Sequence, residues 1–472
     1  MFRITEAVII ELVDGRLLAA IFTSRILRTG IKITGGGATA APGLLAEHID
    51  PKALKKLGKY YDRPIFVTGT NGKTTTSRLV GNILKEANIA YVHNRAGSNL
   101  LRGLIGTLIE NIPLISKERK LPLLEVDEPT LLAATDGLDP SVIVFNNLFR
   151  DQLDRYGEVD KIRKIWQKSL LQLDPSTILA LNSDDHSVAY LASTTNAKVI
   201  YYGVEDDSLS IGKLPHAADF TSCIACGADL RFDHVYLSHL GKYKCPTCGL
   251  KRPKPDVYAK RVLLDEEKGF TAQIVTPKGD FEMKVDLPGI YNVYNSLAAI
   301  SAALALNINI SVVKKALRKA KAAFGRTEQI EFEGKRIYIT LVKNPSGFNE
   351  IIRLLKSSKK EKNILIAIND LIADGRDVSW LWDVDFEEVF NERMVEKVWI
   401  SGIRAKDMAL RLKYANNKLK LAVEEDLEIA LDLALDETPK GQTLFILPTY
   451  TAMLSIKGTL AKKGFSEEFW ED

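Results

Sequence analysis

Short apolar runs recur along the chain, and each is followed by polar turn residues and then by a segment with helical spacing. In the first half these runs lie at residues 64–68, 89–93, 121–126, 142–146 and 178–182. Runs of this length without polar alternation are typical of strands that are buried on both faces of a parallel sheet. The pattern therefore predicts an α/β fold with helices covering both faces of the sheet.

The second half repeats this alternation after two helical segments, 294–306 and 311–323. Its apolar runs lie at residues 337–341, 364–368, 398–401 and 444–447. These runs predict a second α/β domain. Between the two halves, residues 214–255 are rich in Gly, Lys and Pro and break the rhythm, which indicates an inserted module.

Chain length supports this division, because 472 residues exceed what one hydrophobic core usually organises. A Gly-rich stretch at residues 35–43 separates a short N-terminal element from the rest. We therefore predict three parts: an N-terminal element at 1–50, a central domain at 51–325 with an insertion at about 214–255, and a C-terminal domain at 326–472.

The overall charge is nearly balanced, with 64 Lys and Arg residues against 60 Asp and Glu residues, and so does not indicate a nucleic acid partner. Charged residues interrupt the apolar stretch 2–22, which therefore predicts neither a signal peptide nor a spanning helix. We expect a cytoplasmic protein. Two interpretations of residues 17–32 stay open: a helix packed on its own protein, and an amphipathic element on the inner face of the cell membrane.

One glycine-rich motif carries the strongest chemical signal. The sequence Val-Thr-Gly-Thr-Asn-Gly-Lys-Thr-Thr-Thr at residues 67–76 closes an apolar run and opens a helical segment. At such a junction, backbone N–H groups and the helix dipole hold phosphates. Lys73 would reach the β- and γ-phosphates of ATP, and the Thr74 hydroxyl would bind Mg²⁺. The predicted phosphate loop comprises Thr68, Gly69, Thr70, Asn71, Gly72, Lys73, Thr74 and Thr75.

The four cysteines of the chain form two Cys-x-x-Cys pairs inside the predicted insertion: Cys223, Cys226, Cys245 and Cys248. This spacing fits a closed tetrahedral Zn²⁺ site of the ribbon type. Four thiolate ligands leave no open coordination position, so we expect the zinc to be structural. Disulfides or another metal are the alternatives. The six histidines show no ligand spacing.

The phosphate-loop motif resembles that of the Mur ligases, the ATP-dependent amide-forming enzymes of peptidoglycan synthesis, and of their folylpolyglutamate synthetase relatives. Three further segments resemble family motifs: 124–128, 292–299 and 325–328. The resemblance implies that Glu125 binds Mg²⁺, that Asn292 and Asn295 lie on the adenine side, and that Arg326 meets the γ-phosphate. Together with the cysteine spacing, the resemblance implies a P-loop Mur ligase-like central domain with an inserted Cys₄ zinc ribbon, followed by a C-terminal Rossmann-like α/β domain.

Some positions depart from the family pattern. Gln152 stands where the family usually has a His that contacts a second metal, and a side-chain amide is a weaker ligand. Trp166 occupies the position of a Lys that becomes carbamylated in the family, so that feature is absent. Lys343 matches a family position near the transferred phosphate, although Leu341 replaces an acid beside it.

Segments 150–157, 374–383 and 448–453 resemble the family members that act as synthetase subunits of glutamine-dependent amidotransferases. This resemblance implies a GatD-type glutaminase subunit, in a heterodimer or larger complex, and lipid II at the membrane surface as substrate. No Cys remains for a glutaminase nucleophile once the four bind metal. In this branch an Asp completes the Cys–His pair of the glutaminase, and we predict Asp377 for this role, with Asp374 as second choice.

The implied reaction is the ATP-dependent amidation of the α-carboxyl of D-glutamate in the lipid II stem peptide. It would pass through an acyl phosphate, use ammonia from the glutaminase and give D-isoglutamine. The chain would then be a carbon–nitrogen ligase with glutamine as amido donor. Two alternatives stay open: a Mur-like ligase that adds an amino acid to a soluble precursor or to folate, and a nucleotide-binding scaffold without turnover.

Overall fold

The computed structural model describes residues 14–33, 40–94, 98–112, 118–150, 159–212, 214–215, 221–265, 269–320, 328–357, 361–390 and 395–464. These residues form one sheet of nine strands, one of six and one of two. The α/β class predicted from the alternation of apolar runs and helical segments is confirmed.

The first part of the chain supplies the nine-stranded and two-stranded sheets. Its strands are β1 (Ile65–Thr68), β2 (Tyr91–His93), β3 (Leu121–Glu125), β4 (Val142–Phe145), β5 (Ile178–Asn182), β6 (Lys198–Val204), β7 (Arg231–Leu237), β8 (Leu240–Lys244), β9 (Val257–Asp265), β10 (Gly269–Val275) and β11 (Phe281–Val285). The large sheet has the order β11-β10-β9-β6-β5-β4-β1-β3-β2. Because β1 lies between β3 and β4, its carboxyl end opens at the point where the strand order reverses, where α/β proteins bind ligands.

The five strands predicted in the first half are confirmed and pair in parallel as expected, whereas the sheet continues at one edge with antiparallel strands that were not predicted. Pairing is parallel from β2 to β9, whereas β10 pairs antiparallel with both β9 and β11. Burial alternates along much of β9 and β10, so one face of this edge is exposed to solvent. Antiparallel strands tolerate such one-sided burial, and continuous apolar runs therefore do not mark them.

Helices cover the large sheet on both faces. They are α1 (Gly15–Ile33), α2 (Ala40–Ile49), α3 (Ala53–Leu57), α4 (Lys73–Glu86), α5 (Leu101–Asn111), α6 (Leu131–Gly137), α7 (Val159–Leu170), α8 (His186–Ala189), α9 (Ile290–Ala305) and α10 (Ile310–Arg318). One core joins α4, α9 and α10 to the sheet, and a second core joins α1, α2, α3, α5, α6 and α7 to the opposite face. The prediction of a sheet covered on both sides is thus confirmed.

The N-terminal helix α1 packs on its own protein, which was the first of the two interpretations of residues 17–32. Leu17, Ala20 and Ile21 are buried against α2 and α5. The Arg25 guanidinium adds a hydrogen bond of 2.9 Å to the Ile109 carbonyl oxygen at the end of α5. No helix in the described ranges is long and apolar enough to cross a membrane.

The C-terminal part builds the six-stranded sheet. Its elements are β12 (Glu328–Phe332), β13 (Lys335–Ile339), α11 (Pro345–Ser357), β14 (Lys362–Ala367), α12 (Glu387–Phe390), β15 (Val395–Ser401), α13 (Ala405–Ala415), β16 (Leu421–Val423), α14 (Leu427–Glu437), β17 (Thr443–Pro448) and α15 (Tyr450–Lys462). The order is β12-β13-β17-β14-β15-β16, and only β12 pairs antiparallel. The four strands predicted here are confirmed, whereas β12 alternates polar and apolar residues and β16 is only three residues long, so neither was predicted.

The predicted insertion contains the hairpin of β7 and β8, which pairs with neither large sheet. Cys223 and Cys226 precede β7, and Cys245 and Cys248 follow β8. All four cysteines therefore lie at the open end of one hairpin.

Helices α2 and α5 approach closely at Gly43. A Cβ atom there would overlap the carbonyl oxygen of Arg102. We expect Gly43→Ala to lower the free energy of unfolding by about 1–3 kcal/mol, because overpacking forces the two backbones apart. Denaturant titration would measure this. Gly30→Ala in α1 is the control: no atom lies within 4 Å of its Cβ position, and helix propensity predicts equal or slightly higher stability. An unchanged midpoint for Gly43→Ala would contradict the close approach.

Candidate functional site

The loop between β1 and α4 has a backbone that requires glycine at two positions. Gly69 has φ +134° and Gly72 has φ +84°, both outside the range that other residues readily adopt. A Cβ on Gly69 would lie 2.9 Å from the Cβ of Asn146, and one on Gly72 would overlap the Oδ1 atom of Asn295. The two glycines therefore give the loop its shape and let neighbouring side chains reach it.

Helix α4 begins at Lys73, directly after this loop. Its N-cap residue is Gly72, which has no side chain to accept hydrogen bonds from the first turn. The N–H groups of a first helical turn have no partner inside the helix, and the helix dipole places partial positive charge there. Lys73, Thr74 and Thr75 thus form a helix N-terminus suited to an anion such as a phosphate.

The side chain of Lys73 is buried among acidic residues. Its Nζ atom lies 2.9 Å from Glu128 Oε2 and 3.2 Å from Asp127 Oδ1, and it donates a 2.6 Å hydrogen bond to the Gly69 carbonyl oxygen. Burial alone would lower the pKa of Lys73, but the carboxylates of Glu128, Asp127 and Glu125 outweigh it and raise that pKa. Lys73 is therefore a fixed positive charge.

The carboxylates form one cluster with the helix start. Burial raises the pKa of Glu128 to about 7, although the Lys73 ammonium opposes the rise. The Thr74 hydroxyl donates to Glu125 Oε1 at 3.2 Å. The structure thus brings together the two residues predicted to bind Mg²⁺, and oxygen ligands of this kind suit that hard cation. Sequence reasoning assigned no role to Asp127 or Glu128, although they follow Glu125 in the same segment.

Two asparagines hold the loop from the neighbouring strand β4. Asn147 accepts a hydrogen bond from the backbone N–H of Asn71 at 2.8 Å and donates one to the Asn71 carbonyl oxygen at 3.1 Å. Asn146 donates to the same carbonyl at 3.2 Å and to Thr76 Oγ1 at 3.1 Å. Sequence reasoning missed both residues; the available signal was a polar pair directly after the apolar run of β4.

Helix α9 brings the two predicted adenine-side residues to the same place. Asn295 Oδ1 accepts a hydrogen bond from Thr76 Oγ1 at 3.3 Å. Its Nδ2 atom donates to Asn292 Oδ1 at 3.1 Å, and Asn292 in turn donates to the Pro288 carbonyl oxygen at 2.7 Å. Both amides are buried and fixed beside the loop.

The segment after β13 reaches the loop from the C-terminal sheet. Asn344 Nδ2 donates to Asn71 Oδ1 at 3.1 Å, and Asn71 Nδ2 donates to Ser346 Oγ at 3.1 Å. The half-buried Lys343 lies close enough to Glu128 for its ammonium to counter the raised pKa of that carboxyl group. The predicted Lys343 is therefore at the site, whereas Asn344 and Ser346 were missed.

An open cleft of about 650 Å³ extends from the loop between α9 and α11. Asn71 and Asn147 lie at one end, and Tyr291, Tyr294 and Leu341 are among the walls. A lining that combines apolar side chains with a few amide groups is typical of sites for small molecules.

Trp166 occupies the interior behind this cluster. Its indole N–H donates to the Glu128 carbonyl oxygen at 3.1 Å, and its ring packs edge-on against Phe145. The residue that replaces the family lysine therefore fixes the backbone of an acidic residue. The predicted Gln152 and Arg326 lie outside the described residues.

The two candidate aspartates of the C-terminal sheet differ in environment. Asp374 is buried and accepts hydrogen bonds from the backbone and the hydroxyl of Thr451 at 2.7 and 2.5 Å. Asp377 is exposed, and bonds from Ser379 lower its pKa. The first carboxylate fixes the start of α15, whereas the second is ionised and open to solvent.

The four cysteines converge on one point. Their Sγ atoms all lie within 4.8 Å of one another, and the closest pairs are Cys223 with Cys248 and Cys226 with Cys245, each at 3.5 Å. Tetrahedral bonds of about 2.3 Å to zinc place sulfur atoms at separations of this kind. The cluster can therefore hold a metal ion.

Comparison with known proteins assigns the family. The model of the Mur ligase middle domain matches residues 67–226, and that of the MurT ligase C-terminal domain matches residues 341–453. Among solved structures, a pseudomurein peptide ligase type C from Methanothermus fervidus covers 95% of this chain and 97% of its own at TM-score 0.69 and 22% identity. MurF of Thermotoga maritima in complex with ADP covers 89% of this chain and 84% of its own at TM-score 0.64 and 15% identity.

The fold is therefore that of the Mur ligases. The MurT subunit of lipid II isoglutaminyl synthase (glutamine-hydrolyzing) from Staphylococcus aureus strain N315 is 32% identical over 93% of this chain and 96% of the relative. That from Streptococcus pneumoniae strain R6 is 30% identical over 91% and 93%. The chain belongs to this family of MurT subunits.

Proposed function

We propose that this chain amidates the α-carboxyl of D-glutamate in the lipid II stem peptide, giving D-isoglutamine at the expense of ATP. The likeness over more than nine-tenths of the chain to subunits named lipid II isoglutaminyl synthase supports the substrate and the reaction. The observation that carries the ATP chemistry is Lys73, fixed as a cation at the N-terminus of α4 beside the glycine-shaped loop.

The nucleotide would lie across the loop, with its phosphates on the N–H groups of α4 and its base in the cleft beside α9. Thr68, Gly69, Thr70, Asn71, Gly72, Lys73, Thr74 and Thr75 would form the P-loop that cradles the phosphates. Asn295 supports this placement because it lines the cleft beside the loop, and Asn292 supports it by accepting a hydrogen bond from the Asn295 amide. Arg326 and Gln152 retain their proposed roles at the γ-phosphate and the second metal.

The chemical step is the transfer of the γ-phosphoryl group to the substrate carboxylate. Lys73 and Lys343 would neutralise the charge that develops on the transferred oxygens. Bound at Thr74 and Glu125, Mg²⁺ would neutralise the β- and γ-phosphate oxygens in the same way. Ammonia would then attack the carbonyl carbon of the acyl phosphate, so that the C–N bond forms as the C–O bond to phosphate breaks. Inorganic phosphate leaves with the bonding electron pair and takes up the proton that the nitrogen loses.

The ammonia would come from a GatD-type glutaminase bound to this subunit. The name of the relatives, a glutamine-hydrolyzing synthase of which MurT is one subunit, supports a second chain. We propose that Asp377 orients the imidazole of the glutaminase, because its carboxylate is exposed, ionised and free to face another protein. Asp374 is the weaker choice, since Thr451 already occupies its oxygens.

We assign Zn²⁺ to the cysteine cluster as a structural ion. Cys223, Cys226, Cys245 and Cys248 would bind it, and it would supply four bonds that close the open end of the β7–β8 hairpin. The support is the donor set itself: among the residues that the structure describes, the cluster consists of four sulfur ligands within 4.8 Å of one another, and thiolates favour zinc over harder metals.

The proposed domain division follows the two large sheets. Residues 1–50 would form an N-terminal element, 51–325 the ATP-binding domain with its zinc ribbon at about 214–255, and 326–472 a Rossmann-like domain that carries Asp377. Because lipid II lies in the membrane, the subunit would work at the cytoplasmic face of the cell membrane.

We expect Lys73→Ala to lower ATP turnover at least about 100-fold and to weaken binding of a non-hydrolysable ATP analogue, because the fixed positive charge on the phosphates is lost. Calorimetry and phosphate release would measure the two effects. Lys85→Ala, an exposed lysine at the other end of α4, is the matched control and should behave as wild type. Intact nucleotide affinity in Lys73→Ala would contradict the assignment.

In the complex with the glutaminase, we expect Asp377→Asn to lower glutamine hydrolysis at least about 100-fold, because the partner imidazole loses its orienting carboxylate. Amidation with free ammonia should stay at the wild-type rate. Asp407→Asn, an exposed aspartate on α13, serves as control. Unchanged glutamine hydrolysis would exclude Asp377 from the role.

The purified protein should contain about one equivalent of zinc, and chelation should lower its thermal stability, because metal binding energy contributes to folding. Elemental analysis and thermal unfolding would establish both. Cys248→Ser should lose most of the metal. A metal-free preparation as stable as the metal-bound form would refute a structural ion.

A further inference from the structure

The turn of the β7–β8 hairpin is buried, although turns between strands normally lie at the surface. Leu237 and Ser238 are 5% and 4% exposed, and His239 and Leu240 are fully buried. Ser238 has φ +49°, in the left-handed region that a tight turn demands. The tip of this hairpin, residues 237–240, is therefore inserted into the main core of the large sheet.

The inserted tip contacts the proposed nucleotide site directly. Leu237 lines the cleft beside the loop. The His239 ring packs edge-on against Phe149 with centroids 4.8 Å apart, and Phe149 is a wall of the same cleft. The backbone N–H of Phe149 donates to Thr70 Oγ1 at 3.0 Å, so the tip supports a residue that holds the phosphate loop.

The opposite end of the same hairpin carries the cysteines. Cys223, Cys245 and Tyr243 form a small core of their own, separate from the large one. Aromatic rings lie in succession between this core and the cleft. The ring centroids of Tyr243 and His186 are 5.6 Å apart, and those of His186 and His239 are 5.9 Å apart. The hairpin and these rings form a continuous packed connection between the cysteine cluster and the nucleotide cleft.

A buried carboxylate joins this connection to α9. Asp184 accepts hydrogen bonds from the Arg252 guanidinium at 2.5 Å and from the Tyr294 hydroxyl at 2.7 Å, and its carbonyl oxygen accepts from the Gly241 N–H at 2.9 Å. Gly241 belongs to β8, Arg252 follows the second cysteine pair, and Tyr294 lines the cleft. A shift of the hairpin would therefore displace Leu237 on one wall of the cleft and, through Asp184, Tyr294 on the other.

We propose that the metal in the cysteine cluster sets nucleotide affinity, because it fixes the hairpin whose tip forms one wall of the cleft. Leu237 and His239 are positioning residues in this scheme, and the scheme rests on the proposed nucleotide site. Binding free energies are reciprocal, so bound nucleotide must also retain the metal more firmly.

The test measures both directions on the full-length protein. Zinc release to a competing coloured chelator is followed to equilibrium with and without a non-hydrolysable ATP analogue and Mg²⁺, and we expect the nucleotide to raise the apparent zinc affinity at least about fivefold. Calorimetry gives nucleotide affinity for the metal-loaded protein and for protein freed of metal, with circular dichroism to establish that it is folded. The competition starts from the folded, loaded protein, so metal-free protein does not have to be prepared beforehand.

The substitution Leu237→Ala changes the wall of the cleft without removing a ligand of the metal site. It should keep one zinc equivalent, bind nucleotide about tenfold more weakly and lose most of the nucleotide effect on zinc release. Leu263→Ala, an exposed leucine on β9, is the matched control and should show wild-type values. Zinc release that is insensitive to nucleotide in a protein that binds nucleotide would overturn this inference alone. Absence of nucleotide binding by metal-loaded wild type would overturn the proposed function and this inference together.

Discussion

The ion cluster around Lys73 is the interaction on which the site depends. A buried ammonium group costs several kcal/mol unless it is paired, and here Glu128 and Asp127 pair with it directly. The pairing follows from strand order, since Lys73 comes after β1 and the acids come after its neighbour β3. The carboxylates thus compensate the charge of the buried ammonium group, and the cluster offers both a cation that suits an anion and carboxylates that suit a metal ion.

The loop that carries this lysine is shaped by side chains from distant parts of the chain. Asn146 and Asn147 come from the end of β4, Asn295 from α9 and Asn344 from the segment after β13. Asn147 both donates to the loop and accepts from it, whereas Asn344 donates to Asn71 and Asn295 accepts from Thr76. Because Gly72 lacks a Cβ, Asn295 can approach the backbone closely. The glycines are therefore needed for the contacts around the loop as well as for its turn.

Much of this architecture was predictable, because it rests on local patterns. The buried strands are continuous apolar runs, and the phosphate loop and the cysteine pairs are short motifs whose chemistry fixes their spacing. The strands β9, β10 and β11 were not predicted, because a strand with one face exposed to solvent alternates apolar and polar residues and therefore resembles a surface segment. Their place at the sheet edge follows from pairing, which a single segment does not encode.

The site was predictable to a similar degree and for the same reason. Thr74 and Glu125 were expected together and meet, whereas the clamp of Asn146 and Asn147 on Asn71 depends on β1 lying beside β4. Sequence alone could not separate Asp374 from Asp377, because the group that occupies Asp374 is Thr451, far along the chain. Gln152 and Arg326 stay predictions. The buried His186 and His239 gave no signal, since their environment is made by a hairpin turn inserted into the core.

The side chain of Asn71 links the two sides of the cleft. It is hydrogen-bonded to Asn344 and Ser346 while its backbone is held by Asn147, so a single amide joins the two halves of the cleft. Two neutral hydrogen bonds contribute only about 1 kcal/mol each in net terms. These bonds link the two sides of the open cleft yet break at small energetic cost, and they lie on the loop itself, where a ligand that enters or leaves the cleft would disturb them first.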